Sequence, residues 1–219
     1  MANRPVFEAL SRYPYVMEHL VDFTYFSGYA VSQKQRSIAS LHESFSRDYV
    51  DCNLLEISSK SQLDLGVALS AFNLKLTINQ GTFPVENVFQ SSKVFKEGGP
   101  FPELLTLSPR DAKRDPRLQS SGTLKGFQCE DIFFPLIPKH LFYNWIYVKA
   151  LSQNPDLSKA LLEFDAFSDI EFNPKRSLNC QARAAALYVG LSRAGRLEEA
   201  LESPEAFLQI AFKNAKKRE

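Results

Sequence analysis

The chain has 219 residues, a formal net charge of +1 at pH 7, 44% hydrophobic residues and 23% charged residues. These values are typical of one globular domain, and a chain of this length can bury a core without metal or disulfide cross-links. They exclude a strongly basic histone-like or ribosomal protein, a fibre and a disordered tail, but they allow a local nucleic-acid groove.

Cysteine usage and the N-terminal residues predict a cytoplasmic protein. Cys52, Cys129 and Cys180 are odd in number and widely spaced, which predicts reduced, buried thiols. The first ten residues carry charges and lack the apolar stretch of a signal peptide. The longest apolar run, at 132–138, is too short to span a bilayer. The three histidines show no metal-ligand spacing, and we expect neither a metal nor a cofactor.

Short strands and one helix are predicted in the first eighty residues. Aromatic alternation predicts a strand over 18–31, and a stripe of apolar residues predicts a helix over 32–47 with Ser32 as its N-cap. A short strand is expected at 53–58. The clean alternation at 73–79 predicts another strand, which ends in a turn.

Helices are predicted to dominate the rest of the chain. Proline in a first turn, preceded in two cases by a capping serine, marks several helix starts. Six helices are expected. The first begins at Pro84 and ends before Gly98, the second begins after Ser108, and the third covers 138–153. The fourth runs from Pro155 to Leu162, the fifth covers 177–193, and the sixth begins after Ser203. The predicted class is α+β, mainly helical, with a few short strands.

One predicted helix carries an informative polar row. Glu86, Gln90 and Lys93 are spaced i, i+4 and i+7, so on a helix that starts at Pro84 they share one face. Such a row is typical of a solvated, ion-pairing face. The alternative is a site that combines an acid or base with a lysine that acts through its charge or as a nucleophile.

A second candidate is the segment 165–174, DAFSDIEFNP. Asp165, Asp169 and Glu171 lie among phenylalanine and isoleucine residues, where unpaired acids are rare. The segment is either a loop whose acids cap neighbouring elements or part of a working site.

The segment 84–95, PVENVFQSSKVF, is similar to the signature helix of the NADAR superfamily, with Asn87 in place of the usual histidine. Glu86, Gln90 and Lys93 fall on the three polar positions of that signature. Upstream, the stretch 55–84 resembles the opening of the family, and Ser70-Ala71-Phe72 occupies its Ser-Asn-Phe place. Downstream, SPRDAK at 108–113 matches a helix start of the family.

The C-terminal half resembles the family more loosely. Asp169 falls on the family's catalytic aspartate and Phe172 on its tryptophan, while Asn179 fits a later asparagine. The glycine-rich stretch between them is missing, and Asp165 is an alternative register for the aspartate. The resemblance covers about residues 53–195. It implies a NADAR-like catalytic core over 51–219, with 1–50 as an N-terminal extension packed on it in one structural domain.

As a whole, the chain resembles the branch of NADAR proteins associated with DarT-type toxins. Those toxins attach ADP-ribose to guanine in DNA, and the antitoxin enzymes of the branch remove it. The resemblance implies a hydrolase of N-glycosidic bonds, with Glu86, Lys93 and Asp169 as catalytic residues. Lys93 would act through its charge or form a Schiff base with an opened ribose. The implied ligand contacts are Gln90, Ser70, Phe72, Asn179 and Phe172.

The implied substrate is ADP-ribosylated single-stranded DNA, the product is ADP-ribose, the functional partner is a DarT-type toxin, and no membrane is involved. Phosphate contacts would come from basic residues in 108–126, from Lys34 and Arg36, and from the tail residues Lys213, Lys216, Lys217 and Arg218. Two alternatives stay open: an N-glycosidase acting on a small phosphorylated metabolite such as a riboflavin intermediate, and a non-catalytic ADP-ribose-binding module.

Overall fold

The computed structural model describes residues 2–28, 30–175 and 177–213. Within these residues the strands are β1 (Ala2–Ala9), β2 (Val16–Phe23), β3 (Leu54–Glu56), β4 (Lys75–Ile78), β5 (Gly81–Pro84), β6 (Lys93–Phe95), β7 (Leu124–Cys129), β8 (Ile132–Pro135) and β9 (Ala166–Ser168). The α-helices are α1 (Val31–Asp48), α2 (Asp64–Ala68), α3 (Val85–Ser91), α4 (Pro109–Arg114), α5 (Arg117–Ser120), α6 (Leu141–Ser152), α7 (Pro155–Leu161), α8 (Gln181–Arg193), α9 (Leu197–Leu201) and α10 (Pro204–Ala211). A 3-10 helix covers Pro102–Thr106. The α+β, mainly helical class is confirmed.

The largest sheet joins the N-terminal hairpin to strands that lie much later in the chain. Its strand order is β2-β1-β9-β3, and β1 pairs antiparallel with both β2 and β9. Strands β3 and β9 run parallel, with Glu56 opposite Ser168 at their carboxyl ends. The loop after β9 therefore starts beside the end of β3. Two smaller sheets, β4-β5 and β6-β7-β8, complete the described strands.

Helices α6 and α8 form the centre of the core. Helix α6 is buried on almost every face, so its sequence carries little amphipathic pattern. Its predicted inward residues, Leu141, Trp145, Val148 and Leu151, are all buried. Helix α8 packs against α6 and is rich in buried alanine. Small side chains let the two helices and the sheet approach closely.

Two helix starts are confirmed. The Ser108 hydroxyl accepts a hydrogen bond from the Asp111 amide at the start of α4, and proline fills the first turn. The Ser203 hydroxyl caps α10 in the same way, by accepting from the Ala206 amide. Both caps satisfy amides that the helix itself leaves unpaired.

The predicted helix that continues from Pro84 towards Gly98 is wrong in its second half. Helix α3 ends at Ser91, and the Ser92 hydroxyl donates to the Val88 carbonyl. Lys93 is the first residue of β6, where it pairs with Phe127 of β7. Strand pairing with β7 overrides the local helical spacing, so Lys93 does not extend the helical row of Glu86 and Gln90.

Other boundaries also differ from the prediction. The strand expected over 18–31 ends at Phe23, and α1 begins at Val31 without a side-chain cap, so Ser32 is not its N-cap. Helix α8 begins at Gln181 rather than at 177. Strands β1 and β9 were not predicted. Among the described residues, the structure contains no helix long and apolar enough to cross a membrane.

Candidate active site

A cavity of about 520 Å³ lies between α3, the loop after β9 and the residues that precede α8. Every one of the eight residues predicted as catalytic or ligand-binding lines it. They are Ser70, Phe72, Glu86, Gln90, Lys93, Asp169, Phe172 and Asn179. Segments distant in sequence thus contribute side chains to a single cavity.

Helix α3 places Glu86 and Gln90 on the cavity. The Glu86 amide donates to the Ala71 carbonyl, which anchors α3 to the turn that carries Ser70 and Phe72. The Gln90 Nε2 donates to Glu86 Oε1 over 2.8 Å, and both side chains are buried. The other amide atom, Gln90 Oε1, is buried without a partner in the described structure. It is an acceptor that a ligand hydroxyl could satisfy.

Asn87 faces away from the cavity. Its Nδ2 donates over 2.8 Å to the carbonyls of Leu104 and Leu107, and its side chain is fully buried. The residue that departs from the signature histidine therefore fastens α3 to the 3-10 helix and the residues after it.

Lys93 enters the cavity from strand β6. Its ammonium lies 5.0 Å from the centre of the Phe89 ring. Burial lowers the pKa of Lys93 to about 8, although the charge of Glu86 opposes the change. At pH 7 about a tenth of the Lys93 side chains would then be uncharged amines, which is the state needed for nucleophilic attack.

Asp169 lies in the loop that follows β9. Its Oδ1 accepts from the amides of Glu171 and Phe172 at 3.0 Å and 3.1 Å. The side chain is 7% exposed. Burial raises the pKa of Asp169 well above its usual range, and the charge of Glu56 raises it further. A raised pKa favours the protonated form of this carboxyl group, which is the form that can donate a proton.

The alternative aspartate, Asp165, has a different environment. Its side chain accepts from the Asn53 amide and forms an ion pair with Arg193 at 2.9 Å. It does not line the cavity. The structure therefore brings Asp169, and not Asp165, into proximity with Glu86.

The remaining predicted contacts surround these groups. The Ser70 hydroxyl is buried without a partner in the described structure, like the oxygen of Gln90. Phe72 lies on the cavity wall with the Lys113 ammonium 5.3 Å from its ring centre. Phe172 is 9% exposed and packs into the main core. Asn179 lines the cavity from the residues that precede α8.

Several further cavity residues were not among the predicted catalytic or ligand-binding residues. Lys113 lies 3.4 Å from Glu86, and its place in the SPRDAK motif was an available signal. Gln181 accepts from the Ala71 amide and donates to the Ile57 carbonyl, so it ties two walls together. Glu171 pairs with Lys34 of α1 at 3.1 Å. Tyr143 lines the cavity from α6, where the uniformly apolar sequence gave no indication.

The predicted phosphate-binding cations differ in availability. Arg117 pairs with Asp115 and Glu103, and Lys34 is occupied by Glu171 and the Tyr25 hydroxyl. The exposed basic side chains of this set, among the described residues, are Arg36, Arg110, Lys113, Arg114, Lys125 and Lys213, and of these Lys113 lies 3.4 Å from Glu86. Lys213 lies 6.0 Å from the ring centre of Tyr13. Lys216, Lys217 and Arg218 lie outside the described residues.

Comparison with known proteins agrees with the resemblance seen in the sequence. No curated protein matches the chain significantly. A family model described as DarT1-associated NADAR antitoxin matches residues 2–219, which is almost the whole chain. Because this match extends from the N-terminal hairpin through the cavity residues to the C-terminus, the chain belongs to the DarT1-associated NADAR antitoxin family.

Proposed function

We propose that the protein is a DNA ADP-ribosyl glycohydrolase that reverses, in the cytoplasm, the modification made by its DarT-type toxin. The observation that carries the proposal is the pairing of two buried carboxyl groups, Glu86 and Asp169, in one cavity with contrasting neighbours. Glu86 is close to the cations Lys93 and Lys113, whereas Asp169 is close to the carboxylate of Glu56. Cleavage of a glycosidic bond needs two carboxyl groups in different protonation states.

In this proposal Asp169 is the general acid. As the bond between ribose C1″ and the guanine nitrogen breaks, the electron pair goes to the nitrogen, which takes the proton of Asp169. The raised pKa of Asp169 favours the protonated form that this role needs. Water then supplies hydroxide to C1″, and its second proton returns to the Asp169 carboxylate.

Glu86 and Lys93 act on the sugar. The negative charge of Glu86 stabilises the positive charge that develops at C1″ and orients the attacking water. Lys93 either stabilises a sugar oxygen through its charge or, as an amine, forms a Schiff base with the opened ribose. The lowered pKa of Lys93 supports the second role by raising the fraction of free amine.

The other cavity residues bind the substrate. Both Gln90 Oε1 and Ser70 Oγ are buried oxygens without a protein partner in the described structure. Gln90 Oε1 can accept a hydrogen bond from a ribose hydroxyl, and the Ser70 hydroxyl can donate or accept one. The rings of Phe72 and Phe172 provide stacking surfaces for a base, and Asn179 offers an amide to the ribose or diphosphate. The exposed cations near α4 suit the phosphates of a single strand.

The decisive experiment measures release of ADP-ribose from a single-stranded oligonucleotide that carries ADP-ribosylated guanine. We expect turnover by the wild type and a loss of about 100-fold or more in kcat for Glu86→Gln and Asp169→Asn. Lys93→Ala should also be strongly impaired. Borohydride treatment during turnover would trap a covalent adduct on Lys93 if it forms the Schiff base.

Asp165→Asn is the matched control, because it removes the same charge from the same segment outside the cavity. It should keep kcat and lower only stability. Absence of release by folded wild-type protein contradicts the proposal. Binding of ADP-ribose without turnover would indicate a binding module, and cleavage of a phosphorylated riboflavin intermediate would indicate the small-metabolite alternative.

A further inference from the structure

The loop that carries Asp169 is fastened by a buried carboxylate that does not line the cavity. Glu56, at the end of β3, is 3% exposed. Its Oε1 accepts from the Ile170 amide over 2.9 Å, and its Oε2 accepts from the Ser168 hydroxyl. Both donors flank Asp169 in the chain. The parallel pairing of β3 with β9 sets this arrangement, because it places Glu56 opposite Ser168.

This glutamate is costly for folding. A buried carboxylate is normally stabilised by a cation, but the hydrogen-bond partners of Glu56 in the described structure are neutral donors. An apolar residue at the same place would stabilise the fold more, because its burial carries no cost of removing a charge from water. Through Ser168 and Ile170, Glu56 holds one hydroxyl group and one backbone amide on either side of Asp169, which points to a role in the site.

The chain of hydrogen bonds continues into α1. His42 Nε2 lies 2.8 Å from Ser168 Oγ. Because the hydroxyl hydrogen of Ser168 goes to Glu56, His42 must donate its Nε2–H to the serine oxygen. Burial lowers the pKa of His42 to about 4, so the ring is neutral at pH 7 and has a single N–H to give. The polar chain therefore runs from His42 through Ser168 to Glu56.

Two further contacts from α1 reach the same loop. Ile170 packs in a buried cluster with Ile38, Leu41 and Phe45 of α1. Lys34 pairs with Glu171, which lines the cavity. Side chains of α1 thus contact Ser168, Ile170 and Glu171. Ser168 and Ile170 are also hydrogen-bonded to Glu56. Asp169 is left with the hydrogen bonds of its own turn.

We propose that Glu56, Ser168 and His42 are positioning residues that hold Asp169 in its reactive place, which makes the N-terminal segment a working part of the site. This inference rests on the proposed function of Asp169. The residues act through the backbone of the loop and touch no substrate. A misplacement of the general acid by a fraction of an ångström lowers the rate of the chemical step without preventing substrate binding.

Amide hydrogen exchange tests the positioning without reference to activity. The amides of Glu171 and Phe172 donate to Asp169, and that of Ile170 donates to Glu56. In His42→Leu these three amides should exchange about 10-fold faster, while amides in the centre of α6 stay protected. In His42→Gln, whose Nε2–H can replace the histidine donor, protection should return.

Steady-state kinetics on the ADP-ribosylated oligonucleotide test the link to the reaction. Ser168→Ala and His42→Leu should lower kcat by about 10-fold with little change in KM, and His42→Gln should recover most of the loss. His19→Leu is the matched control, since His19 is also partly buried and hydrogen-bonded, in its case to Glu8, but lies two strands away from Ser168 on β2 and does not line the cavity. It should not change kcat.

Equal exchange rates in His42→Leu and wild type would overturn the inference. Equal losses of kcat in His42→Leu and His42→Gln would also overturn it, because they would indicate a packing role alone. Faster amide exchange in His42→Leu with an unchanged kcat would overturn it as well. If the wild type releases no ADP-ribose, the proposed function fails, and the exchange rates still decide whether the polar chain holds Asp169 in place.

Discussion

At the scale of single residues, environment separates groups that look alike in the sequence. Asp165 and Asp169 lie four positions apart among similar neighbours, yet one forms an ion pair with Arg193 and the other lies buried on the cavity. Gln90 and Ser70 are buried with unpaired oxygens. Such uncompensated polar groups lower stability and are typical of binding sites.

Lys93 provides a direct test of this trade-off. Its folded-state pKa of about 8 lies below its ordinary value of 10.5, so the charged form is favoured in the unfolded chain. The burial of Lys93 therefore lowers the free energy of unfolding by its full amount below pH 8, and this loss of stability disappears as pH rises through 10.5. Lys93→Met should therefore raise the free energy of unfolding at pH 7 by up to about 3 kcal/mol.

Urea unfolding at two pH values checks this expectation. The difference between Lys93→Met and the wild type should shrink by about 2 kcal/mol from pH 7 to pH 9.5. Lys149→Met is a suitable control, because Lys149 is a partly buried lysine of α6 that pairs with Glu130. A difference for Lys93→Met that does not depend on pH would contradict the burial of a charged amine.

At the scale of elements, the sequence predicted the helix starts that carry a capping serine, but it did not predict the end of α3. The starts of α4 and α10 are determined by a serine and a proline within one turn, and both are found as expected. The end of α3 is determined by pairing of β6 with β7, some thirty residues away in the chain. The row of Glu86, Gln90 and Lys93 correctly indicated residues of the cavity, although Lys93 reaches it from strand β6 and not from the same helix face.

Helix α8 shows how closely the elements approach. A methyl group at Gly190 would lie 2.4 Å from the Tyr15 carbonyl oxygen and 2.9 Å from that of Leu10. These atoms belong to the tight connection between β1 and β2, which cannot move without disturbing the sheet. Gly190→Ala should cost about 2 kcal/mol in stability, even though alanine favours helix, as measured by urea unfolding.

Ser192→Ala, two residues along the same helix, is the control and should change stability little. A Gly190→Ala protein as stable as the wild type would mean that the helix and the connection lie further apart than the structure describes.

At the scale of the whole molecule, the N-terminal segment contributes a central strand and a packed helix to the fold. Strand β1 lies between β2 and β9 in the largest sheet, and its residues Val6 and Phe7 are buried. Helix α1 covers the loop that carries Asp169. The family match from residue 2 onwards accords with this arrangement.

Removal of residues 1–50 should therefore prevent folding. The truncated chain would lose a central strand and expose the face of β9, so we expect no cooperative thermal transition and a poorly dispersed ¹H–¹⁵N NMR spectrum. Full-length His19→Leu serves as the folded reference. A well-dispersed spectrum of the truncated chain would instead favour a core that folds without the segment.

The sequence by itself determined the features that depend on neighbours within one or two turns. These are the class, the capped helix starts, the polar residues that line the cavity and, through their spacing, the NADAR family, which the comparison confirms. The roles assigned to those residues stay predictions.

Only the tertiary structure decided which aspartate faces Glu86, where α3 gives way to strand, and how Glu56 and His42 reach the loop of Asp169. The physical reason is that a three-residue strand such as β9 has almost no local signal, and its pairing with β3 joins residues more than a hundred positions apart. Burial, which shifts the pKa values of Lys93 and Asp169, arises only when elements distant in the sequence pack together.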